Sequence, residues 1–234
     1  RQRQMCIRDR VMSNVIAIDG PAASGKSTAA RLLAERLNIA YVNTGSLYRA
    51  VALAARRAGQ DMGALSPEFL NTLKLEYVPD QNGRYELKLD GSFPGAELRS
   101  AETASGASLV ATQPAVRDYL LGVQRSFAGE KLIVMEGRDI GTVIFPDARY
   151  KFFITATPEE RARRRLAQSG EVTDGATLAE VAKAIAERDR QDSERRIAPL
   201  KPAPDAELID TTGFAVGEVV DYIVKKVQAG TEEK

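Results

Sequence analysis

The sequence predicts an α/β protein: a three-layer sandwich on a five-stranded parallel sheet, interrupted by an antiparallel β insertion. Three observations carry this. Short apolar runs alternate with stretches of helical period, which is the rhythm of βα units. A glycine-rich segment sits at the first strand-to-helix junction. The rhythm breaks once, where two runs of period two flank Asn82-Gly83.

The first strand is read at Val15-Ile16-Ala17-Ile18. It ends in Gly20-Pro21-Ala22-Ala23-Ser24-Gly25-Lys26-Ser27, and a helix follows with Ala30, Leu33, Ala34 and Leu37 on one face. A second strand is expected over Ile39 to Val42, then a turn at Asn43-Thr44-Gly45 and an Ala-rich helix from about Leu47 to Arg57. Between about Leu70 and Thr103, Leu73, Leu75 and Tyr77 alternate with polar residues, as do Tyr85, Leu87 and Leu89. Asn-Gly between alternating runs signals a hairpin, because both residues accept φ > 0 in a type I′ turn. The insertion is therefore antiparallel.

The parallel pattern resumes with a helix near Pro114 to Phe127 and a strand over Leu132 to Met135 that runs into Glu136-Gly137-Arg138-Asp139. Another strand, Tyr150 to Thr155, leads to Thr157-Pro158-Glu159-Glu160, which reads as a capping box with proline at the first helical position. A second box, Thr177 and Glu180, opens a long helix to about Arg196, after a loop from Gln168 to Ala176. A last strand near Glu207 to Asp210 and a helix from about Ala215 to Val227 complete the chain. No internal repeat is visible.

Composition narrows the chemistry. The chain has 234 residues, with 33 Lys plus Arg against 32 Asp plus Glu, so no global positive field marks a nucleic-acid binder. Its lone cysteine, Cys6, leaves no disulfide and no cysteine-rich zinc site, and the absence of histidine excludes Ser/His/Asp and Cys/His mechanisms. No run of about 18 apolar residues suggests a membrane span, and the expected location is cytoplasmic. Residues 1–14 carry four arginines around Met5, Cys6 and Ile7 without the apolar core of a signal peptide. They are read as disordered and open to being a non-native extension, with Met12 the expected start. A basic nucleic-acid arm is the alternative.

Gly20 to Ser27 matches G-x-x-x-x-G-K-[ST], in the strand-to-helix context that gives the pattern meaning. Glycines let backbone N–H groups approach phosphate oxygens, and the helix offers its positive end. Gly20, Pro21, Ala22, Ala23, Ser24, Gly25, Lys26, Ser27 and Thr28 are the candidate triphosphate-binding residues. Lys26 supplies a point charge near the β- and γ-phosphates, and the Ser27 hydroxyl is a candidate ligand for Mg²⁺. The Asn-Lys-x-Asp guanine reader expected of a GTPase does not occur. Glu136 and Asp19 could meet Mg²⁺ through water or only cap turns.

A phosphoryl-transfer enzyme must hold an acceptor opposite this loop, at the ends of other strands. Thr44, Tyr48 and Arg49 follow strand two, Arg138 and Asp139 follow strand three, and Arg188, Asp192 and Arg195 share a helix face at i, i+4 and i+7. That face could instead be an internal ion-pair ladder. Arg161, Arg164 and Arg165 could be a salt-bridged solvent face; their place before the loop 168–176 makes Arg161 and Arg165 equally candidates for ATP phosphate contact.

From Val15 onward the chain resembles the bacterial cytidylate kinase family, within the P-loop nucleoside monophosphate kinases. The resemblance rests on Ile18-Asp19-Gly20-Pro21 through Lys26-Ser27-Thr28, Thr44-Gly45-Ser46-Leu47-Tyr48-Arg49, Gly137-Arg138-Asp139-Ile140-Gly141-Thr142-Val143, Glu187-Arg188-Asp189, and Ile197-Ala198-Pro199-Leu200. It implies a kinase core over 15–70 and 104–230 with a lid at about 158–180, and a monophosphate-binding insertion over 71–103. It further implies that Thr44, Arg49, Arg138 and Arg195 hold the acceptor phosphate, Arg188 and Asp192 meet the ribose, and Ser108, Arg117 and Asp139 read the base. Cytosine offers an N4 amino donor to a carboxylate, whereas uracil would turn its O4 acceptor toward Asp139. Lys26, Arg138, Arg195 and Asp139 are the expected catalytic set, without a strong base, since a loose transition state asks mainly for positioning and positive charge. The expected reaction converts CMP, and dCMP, with ATP and Mg²⁺ into the diphosphate, by a monomer that binds neither nucleic acid nor membrane. Other acceptors, UMP or AMP, and a non-catalytic nucleotide-binding module are the alternatives. One departure from the family pattern is Asn43, where aspartate is expected.

Overall fold

A computed structural model describes residues 13–79, 85–129, 131–168 and 175–232. Strands β1 (Ser13–Asp19), β2 (Ala40–Asn43), β5 (Ile133–Gly137), β6 (Ala148–Thr155) and β7 (Glu207–Asp210) form one sheet in the order β2-β5-β1-β6-β7, every pairing parallel. β3 (Leu75–Pro79) and β4 (Tyr85–Leu89) pair antiparallel as a separate ribbon, with Leu75 opposite Leu89 and Pro79 opposite Tyr85. Asn82-Gly83, the predicted turn between them, lies outside the described residues, as do most of the loop 168–176 and residues 1–12.

The central strand β1 shows why the sheet is buried on both faces. Ile16 and Ile18 point to one side, where Ala30, Leu33 and Ala34 of α1 (Lys26–Leu37) and Val220 and Ile223 of α8 (Val216–Glu232) cover them. Val15 and Ala17 point to the other, against Val42, Met135, Ile140 and Phe145. A period-two strand with both faces apolar reads as a continuous hydrophobic run, as the sequence does. A second core lies around α2 (Thr44–Arg57), which packs Leu47, Val51 and Leu53 among Leu70, Leu87, Leu89, Val110 and Leu120. The ribbon, α3 (Pro67–Thr72), α4 (Ala101–Val110) and α5 (Pro114–Ser126) all contribute to it.

Three expectations are corrected. The turn anticipated at Asn43-Thr44-Gly45 is the start of α2: the Asn43 side chain accepts the Ser46 N–H at 3.1 Å as an N-cap, so the helix begins three residues early. The segment leading to Thr103 is only partly antiparallel, because after the ribbon come a 3₁₀ turn, Gly95–Arg99, and α4. Gly106 in α4 leaves no space for a side chain, since a Cβ there would stand 2.9 Å from Met62 Sδ and 3.1 Å from Ala52 Cβ; it permits the close approach of α2 and α4. Finally, Thr157 caps α6 (Pro158–Leu166) through the Glu160 N–H, but Glu160 does not complete a box: its carboxylate pairs with Arg164, and the Thr157 N–H donates to Thr212. Thr177 and Glu180 do form the full box at the start of α7 (Leu178–Glu194).

Candidate active site

Parallel register brings the carboxyl ends of β1, β5 and β2 level, with Asp19 opposite Gly137 and Asn43 opposite Glu136. Chain segments leaving these ends line a cleft of about 1640 Å³. One wall is the loop Ala22 to Thr28, and the others carry Thr44, Tyr48, Arg49, Ser108, Arg138, Asp139, Arg165, Arg188, Asp192 and Arg195. Residues far apart in the sequence thus face one space.

The loop takes the backbone that glycine favours at Gly25, with φ 88°, and at Ala23, with φ 57°. Gly20 is required for a different reason: a Cβ there would lie 2.0 Å from the Ile154 carbonyl oxygen. Lys26 is 6% exposed and its Nζ donates to the Pro21 carbonyl at 2.9 Å. Burial, with help from the Arg138 charge, pulls its ammonium down to about 7. An amine so poorly compensated gains strongly from an incoming phosphate.

At the head of α1, Ser27 Oγ donates to Glu136 Oε2 at 2.8 Å, and the Tyr41 hydroxyl donates to the other carboxylate oxygen at 2.7 Å. Glu136 is buried, and its backbone carbonyl accepts from Thr44 Oγ1. A hydroxyl beside one carboxylate suits Mg²⁺, which takes oxygen ligands and keeps most of its shell for water and phosphate. No group of three acidic, cysteine or histidine ligands occurs among the described residues, so an all-protein cage is not what this site offers. Asp19 acts as a structural brace. Its two oxygens accept the Ile140 and Gly141 N–H groups at 2.9 and 2.8 Å, fixing the turn after Asp139. Burial nevertheless pushes its carboxyl up to about 7.

Across the cleft, Arg138 Nε donates to Asp192 at 2.8 Å, and Arg195 stands 3.5 Å from Asp192 and 3.7 Å from Asp139. Burial works against the Asp192 carboxylate, but Arg138, Arg195 and Arg188 outweigh it and hold its pKa low. For Asp139 the balance falls the other way, and burial holds the carboxyl above the usual range despite Arg117, Arg195 and Arg138. Arg165 is depressed to about 10, by burial first and then by Arg188, Arg49 and Arg138. Cations outnumber anions around this space, which favours phosphate.

Most of the expected site residues line this cleft; Gly20, Pro21, Arg117 and Arg161 do not. Arg117 lies behind Asp139: it pairs with that carboxylate, donates to the Ala111 carbonyl at 3.1 Å and stacks 5.8 Å from the Tyr48 ring. Arg161, a candidate for phosphate contact, does not line the cleft and is held by the Ala22 and Ala156 carbonyls and by Asp189. Ser108 Oγ does line the cleft, reaching back to the Ala104 carbonyl at 3.5 Å.

Sequence reasoning missed Tyr41, and it named Asp189 and Arg164 without the loop contacts they make. Arg164 braces the loop by donating to Ser24 O at 3.1 Å and Thr211 O at 2.8 Å. It also borders a smaller cavity of about 180 Å³ with Ser24, Gly25, Thr28, Thr211 and Phe214.

A family model described as cytidylate kinase matches residues 16–229. A cytidylate kinase of Pelotomaculum thermopropionicum is 47% identical over 224 residues, covering 93% of this chain and 97% of that protein. One of Thermotoga maritima is 45% identical over 213 residues, covering 91% and 96%. Among solved structures, an uncharacterized protein from Eubacterium ventriosum superposes with a TM-score of 0.53 at 16% identity, over 92% of this chain and 98% of that one, which speaks to the fold alone.

Proposed function

The chain belongs to the cytidylate kinase family, and we propose that it moves the terminal phosphoryl group of ATP, with Mg²⁺, onto the phosphate of CMP. The observation that carries this reading is the single cleft in which the Lys26 loop faces Arg138, Arg188 and Arg195 gathered around Asp139 and Asp192. Its volume exceeds the roughly 300–1,000 Å³ of a one-ligand pocket, as a site for two nucleotides requires.

The donor phosphates bind the N–H groups of the loop and the head of α1, with Lys26 and Arg165 adding charge. Ser27, supported by Glu136, would hold Mg²⁺, which would supply positive charge to offset the negative charge of the transferred phosphoryl group. Thr44, Arg49, Arg138 and Arg195 hold the acceptor phosphate; Arg188 and Asp192 orient the ribose. Asp139 and Ser108 face the base, with Arg117 holding the Asp139 carboxylate in place. In-line transfer then needs no strong base, because orientation and preorganised charge supply most of the acceleration.

The ribbon, the 3₁₀ turn and the segment between them contribute Tyr85, Phe93, Pro94 and Arg99 to the cleft wall, and closing them over the acceptor would exclude water. The test is ADP release with and without CMP. Release that depends on CMP, and is abolished in a folded Lys26→Ala variant, is expected. Near-normal turnover in that variant would sink the mechanism, and ATP binding without CMP-dependent release would favour a non-catalytic module.

A further inference from the structure

The pair Arg161 and Asp189, which the transfer reaction does not use directly, meets the phosphate loop at one residue. Asp189, on α7, accepts the Ala22 N–H at 3.1 Å through Oδ1, and its Oδ2 pairs with Arg161 of α6. Arg161 in turn donates to the Ala22 carbonyl at 3.2 Å and to the Ala156 carbonyl at 3.1 Å. Both peptide groups of Ala22 are therefore gripped by one partly buried ion pair. Apolar packing of Ala22 against Ala162, Val181 and Ile185 keeps the two helices against the loop.

The peptide joining Pro21 to Ala22 has a second partner. Its N–H points to Asp189, and its carbonyl accepts Lys26 Nζ at 2.9 Å. In a planar trans peptide these two groups point in opposite directions, so holding one aims the other. A lysine ammonium has three donors. With one on Pro21 O, two remain for a bound phosphate.

We propose that Asp189, clamped by Arg161, is a positioning residue for Lys26, acting through the Pro21–Ala22 peptide plane. This rests on the reading of Lys26 as a donor-phosphate contact. It also ties the loop to the helix that carries Arg188 and Asp192, so that donor and acceptor walls keep one spacing.

The assay is ADP affinity, by calorimetry, in a double-mutant cycle of Asp189→Ala and Lys26→Met, with melting curves for each variant. With Lys26 present, Asp189→Ala should weaken ADP about tenfold; with Met at position 26 the same change should weaken it less than twofold. Asp189→Asn, which keeps an acceptor for the Ala22 N–H, should recover part of the affinity. Equal losses in both backgrounds would overturn the proposal and make Asp189 a purely structural prop, and so would no loss in either. Should Asp189→Ala not fold, the cycle run with Asp189→Asn, expected to show a smaller loss confined to the Lys26 background, decides in the same way. If Lys26→Met alone leaves ADP affinity intact, the reading of Lys26 itself fails, a result separate from the behaviour of Asp189.

Discussion

Replacing Arg117 by Met exposes how much of the site is held together by one buried charge pair. Both side chains of the Arg117–Asp139 pair are only 7% exposed, and Asp139 would be left with Arg195 at 3.7 Å as its nearest cation. Removing one partner of a buried pair typically costs about 3–5 kcal/mol, because a charge remains without compensation. Arg195 offsets part of this, so a loss of about 2–4 kcal/mol is expected at pH 8. The loss should depend on pH. Burial already holds the Asp139 carboxyl above its ordinary value, and Arg117 is the first of the charges restraining it. A carboxyl whose folded-state pKa is raised takes up a proton on folding, so its contribution to stability falls as pH climbs from about 4 through the folded-state value. Without Arg117 that fall extends to higher pH. Variant and native protein should differ least near pH 5 and most at pH 8. Urea unfolding at the two pH values measures this, with Arg117→Met/Asp139→Asn, which removes both charges, recovering much of the loss. A pH-independent difference, or one under about 1 kcal/mol at both values, would show that the pair does not hold the site in this way.

Two further substitutions probe the ground beneath the site. Gly137→Ala would put a Cβ 2.7 Å from both Thr44 Oγ1 and Ile140 Cδ1, and an overpacked site of this kind should cost about 1–3 kcal/mol and raise the KM for CMP through displaced Thr44; an unchanged melting temperature and KM would show that Thr44 is free to yield. Tyr41→Phe takes an O–H donor from the buried Glu136 carboxylate, so chemical denaturation should register a loss of about 1–3 kcal/mol. A neutral effect would mean that Ser27 alone satisfies Glu136.

What the sequence made legible is what local chemistry encodes. The inner strands are visible because each carries a short apolar run, and the phosphate loop because its glycines and lysine sit at one junction. α4 is not visible: Ser105, Gly106 and Ser108 weaken its helical pattern, and Gly106 is there for packing against α2. Asn43, read as a departure in a turn, proves to be a helix cap, a role that asparagine fills as well as aspartate. The arginines of α6 were ambiguous for a related reason. Charges spaced along a helix look the same whether they meet water or distant backbone, and the partners of Arg161 and Arg164 include carbonyls of Ala22, Ala156, Ser24 and Thr211. Only the tertiary fold brings those within reach. Tyr41 likewise reads as a strand residue until Glu136 is found beside its hydroxyl.

Function turns most on whether Asp139 and its neighbours make the acceptor a cytosine nucleotide. CMP and UMP differ at positions 3 and 4 of the ring, where uracil presents an O4 acceptor to a carboxylate and leaves buried polar groups unpaired. ADP release measured over a panel of CMP, dCMP, UMP, AMP and GMP decides this. A kcat/KM for CMP at least about a hundredfold above that for UMP, narrowed in Asp139→Ala, is expected. Equal turnover of CMP and UMP by the native chain, or a preference untouched by Asp139→Ala, would overturn the assignment.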